Sequence, residues 1–337
     1  MKLSIVILNW NGVGMMQRFL PGIVKHSPGA EVVVADNAST DTSLQWLGEN
    51  MPEVRTVVLD RNYGFAGGYN RALKQVEAEY YLILNSDVEV REGWLDGMMA
   101  YMDARPECAA CQPKLLCQWA PDKFEYAGAA GGFVDRLGYP YCRGRLFGTV
   151  ETDRHQYDEP VECLWATGAC LLVRSKDFWE VGGFDDRFFA HQEEIDLCWR
   201  LRSRGRTVMC VPQSVAYHLG GGTLPQGNPR KDFLNFRNNL LLLYKNLSTD
   251  DELRRVMRWR FFLDALASAQ FLLTGHWGSF KAVWQGRRAF RRMKADFRKD
   301  REENLRLAVE NPLADAPGSL LWQYYIKGRK RWTQLSI

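Results

Sequence analysis

Apolar residues in the first hundred positions fall in short continuous runs, separated by segments of helical spacing. Leu3–Leu8, Glu31–Ala35, Val54–Leu59 and Tyr80–Leu84 read as strands; Met15–Lys25, Thr42–Asn50 (with Asp41 near its N-cap) and Ala66–Val76 read as helices. Strands alternating with helices imply βαβ units and a parallel sheet, and near-continuous apolar strands suit a sheet covered on both faces. From about 105 to 220 the pattern shortens and glycines multiply. Leu164–Val173 and Thr207–Val211 read there as strands and Glu193–Arg204 as a helix, which adds a mixed sheet to the parallel half. After about 231 the chain turns helical. Phe233, Phe236, Arg237, Leu240, Leu241 and Tyr244 keep i, i+3/i+4 spacing, and further helices are expected over Glu252–Leu273 and Ser279–Arg301. The expected architecture is α/β: one enlarged domain over 1–230, divided near 105, then a helical extension over 231–337.

Composition sharpens this picture only in places. The chain has 337 residues, 46% of them hydrophobic, too apolar for a disordered chain. Its 44 Lys+Arg against 40 Asp+Glu give a net charge of +4, which does not predict a nucleic-acid partner. The apolar run at the N-terminus ends at Asn9, too short for a signal peptide. The longest later run, Phe261–Leu273, contains Asp264 and Gln270 and falls short of a membrane span. A cytoplasmic location is expected. The eight cysteines (108, 111, 117, 142, 163, 170, 198 and 210) are then read as buried thiols; Cys108 and Cys111 have metal-ligand spacing, but no second pair follows at zinc-ribbon distance. Between Lys281 and Glu302 nine basic residues face three acidic ones (Asp296, Asp300, Glu302), interleaved with aromatics such as Phe280, Trp284 and Phe290. That stretch, with the helix before it, reads either as a peripheral anchor on an anionic membrane or as helices packed on the catalytic domain with a solvated basic face. Arg287 and Lys294 fall inside its apolar arc, so the amphipathicity is imperfect.

The chemistry is expected at the carboxyl ends of the strands, where open α/β sheets bind ligands. The first strand ends in Asn9-Trp10-Asn11-Gly12, the second in Asp36-Asn37-Ala38-Ser39-Thr40-Asp41 and the fourth in Asn85-Ser86-Asp87. Each alone reads as a turn; three at one edge read as a polar site. Gly12-Val13-Gly14-Met15-Met16-Gln17 lacks the third glycine of a dinucleotide fingerprint. Gly64-Phe65-Ala66-Gly67-Gly68, between Asn62 and Asn70, is a turn that lets backbone approach a ligand. Asp87 at a strand end can hold Mg2+ or Mn2+ while a diphosphate supplies further oxygens. His218, much later, either adds a nitrogen ligand, which favours Mn2+, or is a structural histidine. Glu193, Glu194 and Asp196 stand at a helix N-terminus. They either complement the helix dipole or, by mutual repulsion, raise one pKa toward that of a general base.

Together these motifs resemble the inverting nucleotide-sugar glycosyltransferases of family 2, with the GT-A fold, and most nearly their rhamnosyltransferase-like branch. The resemblance covers about residues 3–245 and rests on Ser4–Asn11, Val32–Asp41, Asn62–Asn70, Leu84–Asp87, Ala166–Arg174, Gly182–Arg200 and Tyr217-His218. It implies a Rossmann-like mixed sheet whose first half binds nucleotide and whose second half binds acceptor. By position, Asn9 and Asn11 border the nucleotide pocket, and Asp36 binds base or ribose, with Asn37, Ser39 and Asp41 shaping the loop. Asn62, Gly64, Gly67, Gly68 and Asn70 line the donor sugar and diphosphate. Asn85-Ser86-Asp87 stands at the family's Asp-x-Asp metal motif with Asn for the first Asp, leaving Asp87 and His218 as the metal ligands. Glu193-Glu194 stands where the family has Glu-Asp, which makes Glu194 the implied catalytic base, with Glu193 and Asp196 as lesser candidates. Trp165, Thr167 and Gly168 fall in the implied acceptor site.

The expected reaction is metal-dependent, inverting transfer of a sugar from a nucleoside diphosphate to a hydroxyl of a glycan or lipid-linked acceptor, in cell-surface polysaccharide synthesis at the inner face of the membrane. The competing readings are a non-catalytic nucleotide-sugar-binding or assembly subunit, supported by the Asn85 and Glu194 departures, and a sugar nucleotidylyltransferase. The latter wants a basic pyrophosphate loop after the first strand, which Asn9-Trp10-Asn11-Gly12 lacks.

Overall fold

A computed structural model describes residues 1–220 and 227–335. The first third alternates as the hydrophobic pattern predicts: β1 (Leu3–Asn9), α1 (Val13–Lys25), β2 (Glu31–Asp36), α2 (Ser43–Asn50), β3 (Arg55–Val58), α3 (Gly64–Leu73) and β4 (Tyr80–Leu84). The four strands are parallel, in the order β4-β1-β2-β3. Because side chains alternate across a strand, each serves two cores. Ile5 and Ile7 join a core with Met16, Phe19 and Leu20 of α1, whereas Val6 joins the opposite core with Ala66, Tyr69 and Ala72 of α3.

The next segment widens this sheet. After β5 (Val88–Glu89) and α4 (Asp96–Ala104) come β6 (Cys108–Cys117) and β7 (Ala120–Phe124). Then β8 (Gly132–Val134), β9 (Pro140–Cys142), β10 (Arg145–Leu146) and β11 (Thr149–Val150) make a separate small antiparallel sheet. β12 (Val161–Glu162), β13 (Cys170–Arg174), α5 (Ser175–Glu180), α6 (Glu193–Ser203) and β14 (Thr207–His218) complete this part, and the main sheet runs β12-β14-β6-β13-β4-β1-β2-β3. β13 lies antiparallel to both β4 and β6, so the sheet is mixed, as in the GT-A arrangement.

Two expectations need correction here. The strand expected over Leu164–Val173 begins only at Cys170, because Thr167 donates its backbone N–H to Gln112 Oε1 and accepts from Cys170 N, turning the chain out of the sheet. The strand expected to stop at Val211 continues to His218, with a register shift after Val211 where Pro212 has no N–H to offer. That extension carries His218 to the edge where the other strands end.

The last part comprises α7 (Pro229–Asn246), α8 (Asp250–Leu273), α9 (Trp277–Met293) and α10 (Arg298–Leu307). The helix expected over Ser279–Arg301 is therefore two, parted by a tight turn over Lys294–Phe297. Leu241, Leu242, Leu243, Val256 and Phe297 belong to the same core as α3 and α6, so these helices share the interior of the sheet. α8 is inverted relative to an ordinary surface helix. Its inner face carries Val256, Arg260, Asp264 and Ser268, all buried, and Asp264 is paired with both Arg260 and Arg287. Arg287 thus falls in the apolar arc of α9 because its charge is answered inside. No helix among the described residues is long and apolar enough to cross a membrane.

Candidate functional site

Parallel register brings the strand ends together. Asn9 pairs with Asp36, and Ile7 with Leu84, so Asn9, Asp36 and Asn85 emerge at one edge. Their side chains form a network. Asn9 Nδ2 donates to Asp36 Oδ2 and Ser39 Oγ, both at 3.1 Å, and Ser39 N donates to Asp36 Oδ1 at 2.9 Å. Asn11, with φ of 51°, accepts from Thr40 N and Asp41 N and donates its own N–H to Ser39 Oγ. Asp41 accepts from Val13 N and Ser43 N at the starts of α1 and α2. Burial pushes the Asp41 carboxyl up, but these hydrogen bonds outweigh it and hold the pKa below the ordinary value. Asn9 Oδ1 is buried without a hydrogen-bond partner and abuts Gly12, where a Cβ would lie 2.6 Å from it. The sequence-predicted nucleotide loop is thus one connected polar floor with one acceptor unspent.

The glycine-rich turn, expected to let backbone approach a ligand, has a packing role in this fold. Asn37 Nδ2 donates to Asn62 Oδ1 and Gly64 O, tying β2 to the start of α3. Gly64 has φ of 72°, and a Cβ there would meet Phe189 O at 2.5 Å; a Cβ on Gly68 would meet Leu8 at 2.8 Å. Only glycine lets α3 approach both β1 and the segment before α6. Phe65 N and Ala66 N both donate to Phe189 O. Asn70, expected beside the donor, instead holds that segment: Nδ2 donates to Phe184 O at 2.7 Å and Asp186 Oδ1 at 2.5 Å, and Oδ1 accepts from Phe184 N at 3.0 Å.

At the end of β4, Asp87 Oδ1 lies 3.1 Å from His218 Nε2, and Asn85 Nδ2 lies 3.4 Å from the same nitrogen. Glu125 Oε1 stands 3.2 Å from His218 Nδ1. Burial alone would push the imidazole down; the two carboxylates outweigh it and push it up to about 10. The donor set suits a divalent ion. Asp87 Oδ1 and Nε2 now touch each other; an ion bound between them would have to displace the imidazole proton, and Glu125 stands behind the ring as carboxylates back metal-bound histidines. Among the described residues no three His, Cys, Asp or Glu side chains are arranged to hold an ion by themselves, so phosphate oxygens or water must complete any coordination. Glu125 was not signalled by the sequence; it is a single acid between Phe124 and Tyr126, just after β7.

The carboxylates of α6 divide sharply. Asp196 is fully buried and engaged: Oδ2 takes Lys245 Nζ at 2.9 Å and Arg200 Nη2 at 2.8 Å, and Oδ1 takes Asn246 Nδ2 at 2.8 Å. Burial raises its pKa, but Arg200 and Lys245 bring it below the ordinary value. Glu193 is buried with Oε2 unpartnered, and burial, then the charge of Glu194, raises it well above the usual range. Glu194 is half-buried, and its Oε2 also lacks a partner. Burial pushes Glu194 up to about 7, against three backbone hydrogen bonds that favour the charged form. Its Cβ lies 3.8 Å from where a Cβ on Gly168 would stand, and Phe65 lies on the same side of that glycine. Gly168 therefore adjoins Glu194, while Asn85 N donates to Ala169 O one residue on. The short turn 166–169 thus links the Asp87 edge to Glu194.

Of the other residues expected at an acceptor site, Thr167 is buried, with its N–H on Gln112, and Trp165 is 3% exposed, its Nε1 on Phe133 O and its ring against Gly132. Both hold the turn from behind.

The segment before Glu194 is strained: Phe189, His191 and Gln192 all have φ near 70°. α7 holds it in place. Asn238 Nδ2 donates to Phe188 O, Ala190 O and His191 O, at 3.0, 2.8 and 2.7 Å, and Arg237 Nη2 donates to Phe188 O at 2.8 Å. Asn239 Nδ2 donates to Gln192 Oε1, and Lys245 joins Asp185 to Asp196. Sequence reading missed these residues. Their signal was a pair of asparagines, poor helix formers, in the middle of a leucine-rich helix.

Residues 4–181, more than half of the chain, match the family described as Glycosyl transferase family 2. The chain belongs to that family. It is a glycosyltransferase of rhamnosyltransferase-like type, and the nucleotidylyltransferase and non-catalytic readings fall away. Over 236 residues it is 28% identical to the N-acetylglucosaminyl-diphospho-decaprenol L-rhamnosyltransferase of Mycobacterium tuberculosis, covering 64% of this chain and 75% of that protein. Over 163 residues it is 44% identical to the rhamnosyltransferase WbbL of Escherichia coli K12, covering 46% of this chain and 61% of that one. The fold is shared with the mannosyltransferase PcManGT of Pyrobaculum calidifontis, solved with GDP-Man and Mn2+, at a TM-score of 0.52 and 14% identity over 90% of this chain and 87% of that one.

Proposed function

We propose that this glycosyltransferase moves a sugar from a nucleoside diphosphate to a hydroxyl of a glycan or lipid-linked acceptor with inversion at the anomeric carbon, and that Glu194 is the base. The observation that carries this is the Glu194 carboxylate. One oxygen is unspent, burial holds its pKa near neutrality, and it borders the turn that leads to Asp87. A group with a pKa near the working pH is suited to take the acceptor proton as the new bond forms. Asp36, with Asn9, Asn11, Asn37, Ser39 and Asp41 around it, makes the floor on which base and ribose rest. Asn62, Gly64, Gly67, Gly68, Asn85 and Ser86 shape the wall beside diphosphate and sugar, and Asn70 fixes that wall to the loop before α6.

Asp87 and His218 would hold Mg2+ or Mn2+, Glu125 orienting the imidazole; the nitrogen donor favours Mn2+. Such an ion supplies charge neutralisation for the departing diphosphate. The rest belongs to the chain. Glu194 accepts the proton from the acceptor hydroxyl, and Gly168, where a Cβ would meet Phe65 at 3.1 Å, lets Phe65 and Glu194 lie close against the turn. Burial, then the charge of Glu194, holds Glu193 well above the usual carboxylate range, which disfavours a second negative charge beside the base. A single displacement needs no second nucleophilic carboxylate, and Asp196, held by Lys245, Arg200 and Asn246, is occupied as framework. The relatives' rhamnosyl activities favour a deoxyhexose donor and a polyprenyl-diphosphate-linked acceptor. The test is an acceptor-dependent transfer assay over a panel of nucleotide sugars, with the product's anomeric configuration read by NMR. An inverted product is expected; a retained one would contradict single displacement.

A further inference from the structure

The surface of α8 is apolar where a soluble helix is polar. Trp259, Phe262 and Leu266 recur at i, i+3/i+4 spacing on its outer face and Leu273 follows seven residues on, with relative exposures of 55, 65, 68 and 87%. Trp277 continues the row into α9 at 61%. The polar residues of α8 that would suit water, Arg260, Asp264 and Ser268, are turned inward and satisfied there by Arg287 and by Trp284 Nε1, which donates to Ser268 Oγ at 2.8 Å. The helix is therefore anchored through its charges and presents its apolar stripe outward. Isolated exposed apolar residues need no explanation, but a continuous stripe of large ones does.

The rim is mainly basic. Arg254, Arg255 and Arg258 are exposed at one end of the stripe, and Lys281 and Arg288 along α9. Arg254 and Arg258 also line a shallow depression of about 440 Å³ with Met257, Phe261 and Phe262. From 253 to 295 the only carboxylate is Asp264, which is buried; the first turn of the helix supplies Asp251, which pairs with Arg254, while among the described residues no carboxylate is paired with Arg255, Arg258, Lys281 or Arg288. That asymmetry selects the occupant. A second copy of the chain would bring arginines against arginines across a two-fold axis. An anionic bilayer supplies phosphates to the rim and hydrocarbon to the stripe.

We propose that the outer face of α8, with the start of α9, docks on an anionic phospholipid surface, Trp259, Phe262, Leu266 and Leu273 entering the interface and Arg254, Arg255 and Arg258 meeting headgroup phosphates. The proposal stands on surface geometry alone and is tested independently of catalysis. The full chain is floated with vesicles of phosphatidylcholine, with and without an equal part of phosphatidylglycerol. The chain is expected to float with the anionic vesicles only, and to be released by high salt. Replacing Trp259, Phe262 and Leu266 together by Ser should remove binding while the melting temperature stays that of wild type. Replacing Arg254, Arg255 and Arg258 by Gln should weaken binding roughly a hundredfold. Recovery of the wild-type chain in the soluble fraction with anionic vesicles would overturn the proposal. So would wild-type flotation of the triple-Ser variant, or a stable dimer in solution that the same substitutions dissociate.

Discussion

Glu194 carries the sharpest residue-level consequences. A carboxyl pushed up to about 7 by burial must lose its proton before it can act as a base, so kcat/KM is expected to rise with pH through that value and level off above it. The sign for stability is opposite. The folded state holds this proton between the ordinary carboxylate pKa and about 7, where the unfolded chain has released it, so folding stability declines as pH rises across that window. Chemical denaturation at several pH values, comparing wild type with Glu194→Gln, checks this: the variant should show a flatter decline. At Asp87 the expected loss is in ligand linkage. Wild type with a nucleotide sugar and Mn2+ at a hundredfold the dissociation constant should gain about 2.7 kcal/mol of stability. Asp87→Ala, or wild type with chelator, should lose most of that gain in a thermal-shift titration. An undiminished gain would remove Asp87 from the site.

At the scale of elements, α7 is the support of the loop before α6. Asn238→Ala leaves three backbone carbonyls without their shared donor. It should cost about 1–3 kcal/mol and lower kcat more than donor affinity, because the loop that loses its support carries Glu194 rather than the nucleotide floor. Equilibrium unfolding and steady-state kinetics read both effects. Lys245→Met leaves Asp185 and Asp196 facing each other in the interior, and removing one partner from a buried ion network costs about 3–5 kcal/mol. Asp185 is pushed up by burial but brought well below the ordinary range by Arg187 and Lys245. In wild type its contribution is present above the unfolded carboxylate pKa and lost as pH falls through the depressed value. The Lys245→Met variant, measured by urea unfolding, should show a smaller acid-sensitive component, because Arg187 still holds Asp185. The regular elements here were legible because period and turn chemistry agree: β1 to β4 and α1 to α3 lie within a few residues of where their patterns place them. The misplacements have physical causes. Thr167 spends its backbone on Gln112 and leaves the sheet, and Pro212 bends β14 without ending it.

At the scale of the whole molecule, the strand ends were legible as a site because parallel register must gather them at one edge. What joins them to Glu194 was not, since it depends on contacts between distant segments. Gly64 meeting Phe189, Asn70 holding Phe184 and Asp186, Glu125 behind His218 and Asn238 under the loop all leave no local periodicity. The same holds for α8, whose Asp264 and the Arg287 of α9 break the amphipathic pattern only until each is seen to pair with the other. The central claim remains that Glu194 removes the acceptor proton. It is tested most directly by comparing donor binding and turnover in Glu194→Gln, which keeps the size of the side chain and removes its basicity. The expected result is a loss of turnover of about a thousandfold with the nucleotide-sugar dissociation constant unchanged. Turnover at the wild-type rate in that variant would contradict it.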